Sequence, residues 1–145
     1  MSRSFALALA AISLVGLHSH AQGPEAAGRP VVVDGPTMLI AVSTSGKTLY
    51  GYSTSTGESE SVAVVNPDEI RLTPVVGSLV GCVAIGKTIH AFSAKTGHWA
   101  TLELPEPAEF FLTSDRIRID LGGKIYLFSA HAGKWTTIDL SADKE

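Results

Sequence analysis

The sequence predicts an all-β protein built from three four-stranded antiparallel repeats, and three observations carry that expectation. Residues 46–64, 86–104 and 122–140 read alike when set one above another: Gly, an aliphatic, Tyr or His, an aromatic, Ser, Gly, then an alternating run. Self-similarity at a period of roughly 36 to 40 residues marks one supersecondary unit used repeatedly. Within each unit, short runs rich in β-branched and aromatic residues are separated by glycine-containing turns, which are strand signals. Beyond the first 21 residues no window carries the three-and-four-residue apolar spacing of a surface helix.

A chain of 145 residues predicts one domain. Its start stands apart from that domain. Arg3 supplies a positive charge, 5–17 is an apolar run, and Ser19-His20-Ala21 is a small-x-small ending, together the pattern of a secretory signal peptide over 1–21 cut after Ala21. The apolar run falls short of the roughly 20 residues a membrane span needs. The expectation is a secreted or periplasmic protein with no membrane span once the leader is removed. Residues 22–30, with two prolines and two glycines, read as a linker.

The repeat domain then divides into units 31–69, 70–109 and 110–145. Strands are expected at 31–34, 38–43, 47–54 and 58–64 in the first unit, and at 70–76, 79–85, 88–94 and 98–104 in the second. The third unit repeats them at 110–113, 116–121, 124–130 and 134–140. The third run of a unit is apolar or small on both faces: Ile89 and Ala91 oppose His90 and Phe92, and Ile125 and Leu127 oppose Tyr126 and Phe128. A strand of that kind is covered on both sides by other sheets. The fourth run alternates, placing Leu102, Leu104, Ile138 and Leu140 toward the core and Thr101, Glu103, Thr137 and Asp139 toward water. Between these runs, Gly57, Gly97 and Gly133 occupy one column, where a tight hairpin needs positive φ. Two residues on stand Ser59, Trp99 and Trp135, and an indole there is expected to lie against the next unit.

The run Phe92-Ser93-Ala94-Lys95-Thr96-Gly97-His98-Trp99 with Leu102, and its sister Phe128-Ser129-Ala130-His131-Ala132-Gly133-Lys134-Trp135 with Ile138, resemble the blade repeats of kelch and quinoprotein-type β-propellers. The resemblance covers all three units and implies a propeller-like stack of blades. It brings no quinone-binding or metal-binding residues to this sequence, so no cofactor is expected. The kelch double glycine is missing from the second strand, and Ser59 replaces the Trp in the first unit. Propellers use about four to eight blades, so three would leave two open faces. A homodimer of six blades about a two-fold axis is the simplest closure. The alternatives are a β-trefoil, which closes as a monomer from three units of similar size, and an irregular sandwich or barrel.

Charge and chemistry narrow the function. Removing Arg3 from 11 Lys and Arg leaves 10 against 14 acidic residues, a net charge of −4 with no basic stripe, which disfavours nucleic acid. The lone cysteine, Cys82, sits in an apolar run and reads as a small buried hydrophobe. Gly81-Cys82-Val83-Ala84-Ile85-Gly86-Lys87-Thr88 matches the phosphate-loop pattern by letter. That loop needs a helix starting at its Lys, whereas strand formers fill this stretch and Gly46-Lys47-Thr48 repeats its end as a hairpin. His90 replaces a Tyr of the sister units, while His98 and His131 fall in different columns, so no metal site is expected. Serines crowd 43–61 without the Gly-x-Ser-x-Gly arrangement of a nucleophile, and read as solvated turns. Asn66 precedes Pro67 and begins no glycosylation acceptor.

Arg116 and Arg118 depart from the repeat, because their sister positions are Val80 and Cys82. Burying charge there would be costly, so either this is a solvated last face, where charges discourage stray pairing, or the two arginines contact an anion, a carboxylate or a partner. With no catalytic constellation in the sequence, the expected function is a non-catalytic module binding a protein or glycan through loops on one rim. A small extracytoplasmic hydrolase, or a subunit that completes another enzyme's ring, is the alternative.

Overall fold

The structure is a computed structural model that describes residues 28–65 and 72–141. The expected leader, most of the linker and Asn66 lie outside the described residues, and 28–30 carry no regular structure.

Twelve strands form three separate four-stranded antiparallel sheets among the described residues. The first holds β1 (Val31–Asp34), β2 (Met38–Val42), β3 (Thr48–Ser53) and β4 (Ser59–Ala63) in that spatial order. The second holds β5 (Val75–Val76), β6 (Val80–Ile85), β7 (Thr88–Ser93) and β8 (His98–Glu103), and the third β9 (Phe111–Leu112), β10 (Arg116–Leu121), β11 (Lys124–Ser129) and β12 (Lys134–Asp139). Each sheet is a meander whose strands pair only within their own unit. A trefoil would share a barrel between units, so that alternative fails here. The units are blades, stacked face to face in a β-propeller-like arrangement.

The strands follow the expected runs with trimmed ends, and two differ more. Among the described residues the opening strands of the second and third blades are Val75–Val76 and Phe111–Leu112, with no strand at 72–74; Ile70 and Arg71 of the expected run lie outside the described residues. The hairpin glycines adopt positive φ: 72° at Gly57, 72° at Gly97 and 63° at Gly133. At Gly133 a second constraint applies, since a Cβ would come within 2.8 Å of the Thr96 side chain in the preceding blade.

The core lies in the two joints between blades. One cluster joins Met38, Ile40, Val42 and Leu49 of the first blade to Val83, Ile85 and Phe92 of the second. The other joins Val80, Cys82, Ile89 and Ala91 of the second to Ile117, Ile119 and Phe128 of the third. Strand β7 is therefore buried along both faces, as its two-sided apolar sequence requires. Among the described residues only the middle blade has neighbours on both sides. In β3 the face bearing Tyr50 and Tyr52 is open, and in β11 Ile125 and Leu127 are half-buried. The expectation that Ile138 and Leu140 reach the core is corrected for the same reason: they are 43% and 59% exposed, on a face that no further blade covers.

Identical polar devices lock both joints. The Ser53 hydroxyl donates to the Ala94 carbonyl at 2.5 Å, and the Ser93 hydroxyl to the Ala130 carbonyl at 2.6 Å. The Trp99 indole donates to the Glu60 carbonyl at 3.0 Å and the Trp135 indole to the Ala100 carbonyl at 3.2 Å. Each Trp also tilts against the Phe beside it, Phe92–Trp99 at 5.2 Å and Phe128–Trp135 at 5.4 Å between centroids. The indoles thus reach the preceding blade, not the next one as the sequence led us to expect. A strand's side chains alternate between faces, and the Trp column shares the face of Phe92 and Phe128, which looks backward along the stack.

Candidate interaction surface

Stacking leaves two outer sheets, one at each end. On the first blade the backward face carries Val32 at 53% exposure, Tyr50 at 49% and Tyr52 at 42%, with half-buried Leu39 and Ala41 and exposed Asp34. Tyr52 stands in the column that buries Phe92 and Phe128 in the joints, and Tyr50 in that of His90 and Tyr126. Ser59 stands in the Trp column of this face. On the third blade the forward face carries Phe111 at 58% exposure, Leu127, Ser129, Ile138 and Leu140. Val64 and Leu104, the sisters of Leu140, are both buried.

Arg116 and Arg118 lie on this forward face of β10, both exposed. Their side chains alternate with buried Ile117 and Ile119, which face the second blade. Arg118 grips Asp120 through two hydrogen bonds, Nε to Oδ1 at 2.8 Å and Nη2 to Oδ2 at 2.6 Å. The hydrogen bond and the charge of Arg118 hold the Asp120 carboxyl below its ordinary value, and Asp120 raises the guanidinium in turn. Arg116 donates from Nε to Asp115 at 3.3 Å. The pair therefore presents a mixed-charge strip on an exposed sheet.

A cleft of about 440 Å³ opens between the first two blades, lined by Val62, Ile85, Lys87, His90, Thr101 and Glu103. The His90 ring is buried with Nδ1 2.9 Å from the Thr101 hydroxyl, and burial lowers its pKa. Lys87 and Glu103 form an exposed ion pair at 3.3 Å across the rim. A second opening of about 600 Å³ lies beside Arg29, Leu72 and the turn Ser43-Thr44-Ser45. The Ser43 hydroxyl accepts the Thr48 amide at 3.1 Å, so that serine is spent on the turn.

The other residues singled out in the sequence fall apart in space or into structural roles. Cys82 is buried and desolvation pushes its thiol up to about 12. Gly81 to Thr88 form strand β6, a hairpin and the start of β7, with no helix at Lys87. His98 sits 3.5 Å from Glu60, and His131 lies in the last hairpin. No group of three or more His, Cys, Asp or Glu side chains gathers into a metal site among the described residues. No helix there is long and apolar enough to cross a membrane. The sequence reading missed the exposed tyrosine face; its signal was the substitution of Ser59 for Trp, which marks the blade with no neighbour behind it.

No family model and no curated protein matches this chain. Among solved structures, it is similar to the crystal structure of Kluyvelomyces marxianus Hsv2, at 15% sequence identity and a TM-score of 0.34, over 77% of this chain and 40% of that one. The chain thus spans less than half of the protein it matches.

Proposed function

We propose that this protein is an exported, non-catalytic interaction module whose outer sheets and rim loops bind a protein or a glycan. The observation that carries this reading is the pair of outer sheets, where Tyr50, Tyr52, Ile138 and Leu140 stand exposed in columns that are buried or half-buried at the joints, and Phe111 is exposed beside them. Contiguous exposed apolar surface marks interaction sites, and tyrosine combines contact area with a hydroxyl handle. The same open faces favour a second reading, in which the chain completes a ring, either with another copy as a six-bladed homodimer or as a subunit of another enzyme. Processing after Ala21 would place the module outside the cytoplasm.

The test is binding of the mature protein to a glycan panel and to extracytoplasmic protein extracts, with Tyr50→Ala/Tyr52→Ala and Arg116→Ala/Arg118→Ala variants as controls. A bound species whose affinity falls at least about tenfold in either variant supports the reading. Binding unchanged in both would remove these faces as the site. Turnover of ester, glycoside or peptide substrates by the purified protein would replace the reading with the hydrolase.

A further inference from the structure

We infer that the partner of both outer sheets is a second copy of this chain, joined head to tail so that the forward face of each third blade covers the backward face of the other copy's first blade. The inference rests on the reading above that the outer sheets are interaction surfaces.

At the internal joints, strand β5 presents Val76 to the first blade and β9 presents Leu112 to the second. A Cβ at Gly35 would come within 2.5 Å of Val76, and one at Gly77 within 2.7 Å of Leu112. Gly35, Gly77 and Thr113 are sister turn residues, whose amides donate to the carbonyls of Met38, Val80 and Arg116. The sister of Val76 and Leu112 on the first blade is Asp34, because register pairs them with Leu39, Gly81 and Ile117. Continuing the repeat across the open ends therefore sets Asp34 of one copy against Thr113 of the other, beside Arg116. The apolar side of that contact becomes Asp34 and the glycine side becomes Thr113, with the Arg116 guanidinium, shared with Asp115 at 3.3 Å, as the cation nearest to Asp34.

A second pair behaves the same way. Gly97 lies against Glu58 and Thr56 of the blade before it, a Cβ there meeting the Glu58 carboxylate at 3.0 Å. The sisters of Thr56 and Glu58 in the third blade are Ala132 and Lys134. Gly57 of the second copy thus falls beside Lys134, and Glu58, the next residue, brings a carboxylate to that ammonium.

Volumes also compensate. The Phe92 ring sits over Gly51, where a Cβ would lie 2.5 Å from the ring. Ala91 is the sister of Gly51 and clusters with Phe128. On the open ends the corresponding residues are Leu127 in place of Gly or Ala, Tyr52 in place of Phe, and Ser59 in place of Trp. The added Leu side chain occupies room that the missing indole leaves. Ser129, sister of the joint-locking Ser53 and Ser93, is then placed to donate to the Thr54 carbonyl of the other copy, and two such joints close six blades.

Sedimentation velocity and native mass measurement of the mature protein test this. The wild type is expected to be a dimer. Arg116→Glu and Asp34→Arg, each prepared separately, are expected to weaken dimerisation about tenfold while leaving circular dichroism unchanged, since close charge pairs across interfaces carry such energies. Mixed in equal amounts, the two variants are expected to recover a mixed dimer of wild-type affinity, because one joint is charge-reversed and the other is native. Lys134→Glu mixed with Glu58→Lys provides an independent swap. A monomeric wild type, or a dimer indifferent to all four substitutions, overturns the inference. So does a failure of the mixtures to recover. A monomer that still binds glycan or protein would leave the interaction reading standing; a dimer that binds neither would leave the joint standing and remove the wider function.

Discussion

Gly51 and His90 show how single side chains fix the stack. Gly51 is buried beneath the Phe92 ring, and its missing Cβ is the space that ring occupies. Gly51→Ala is expected to destabilise the protein by about 1–3 kcal/mol, the usual cost of overpacking a core, read as a lower midpoint in urea. Ala91→Gly in the sister position, where a Cβ is already accommodated, creates no clash and separates packing from backbone effects. His90 is buried with a pKa lowered by desolvation, so the unfolded chain takes up that proton at higher pH than the folded one. Stability is therefore expected to fall as pH drops below about 6.5 and through the lowered folded value. His90→Gln should flatten that limb of the urea midpoint against pH; an unaltered acid limb would assign it to other groups.

At the scale of the strand and hairpin, the joint is a repeated set of contacts: a Ser hydroxyl reaching forward, a Trp indole reaching backward, and a Phe lying between. Trp99→Phe and Trp135→Phe keep most of the aromatic surface and remove one donor each. Each is expected to cost about 1 kcal/mol, the net worth of a single hydrogen bond, and the two should add, because they lie in different joints. A double-mutant loss well above the sum would show that the joints are coupled.

These elements were largely legible beforehand. Glycine columns and β-branched runs locate the twelve strands among the described residues within a few residues, except that the first runs of the second and third units are two-residue strands there. Period-two alternation told which side chains share a face, but not which neighbour that face meets. The direction of Trp99 and the exposure of Ile138 and Leu140 depend on stacking order, which no single strand's pattern contains. Arg116 and Arg118 stood out because a sister comparison exposes charge in an apolar column. Their carboxylate partners stand close in sequence, Asp115 one residue before Arg116 and Asp120 two residues after Arg118 on the same face of β10, so both contacts follow from position along one strand.

Across the whole molecule, two joints are complete and two faces are left open, one lacking a Trp and the other bearing arginines. Three blades supply the core through their contacts with each other, as repeat units must, and the end blades each bury one face only. A second chain joined head to tail would cover both ends with the devices already used inside. Such contacts close into a ring only if the rotation per blade is right, which makes the geometry of the joint the decisive quantity.

The most direct test places cysteines where the internal locks have Ser53 and Ala94, at their outward counterparts Ser129 and Thr54. Cys82 is buried with its thiol pushed up to about 12 and takes no part. A Ser129→Cys/Thr54→Cys protein under mild oxidation is predicted to form covalent dimers, whereas either substitution alone is predicted to leave single chains. Cross-linking by Ser129→Cys alone, or none in the double variant, would contradict the head-to-tail joint.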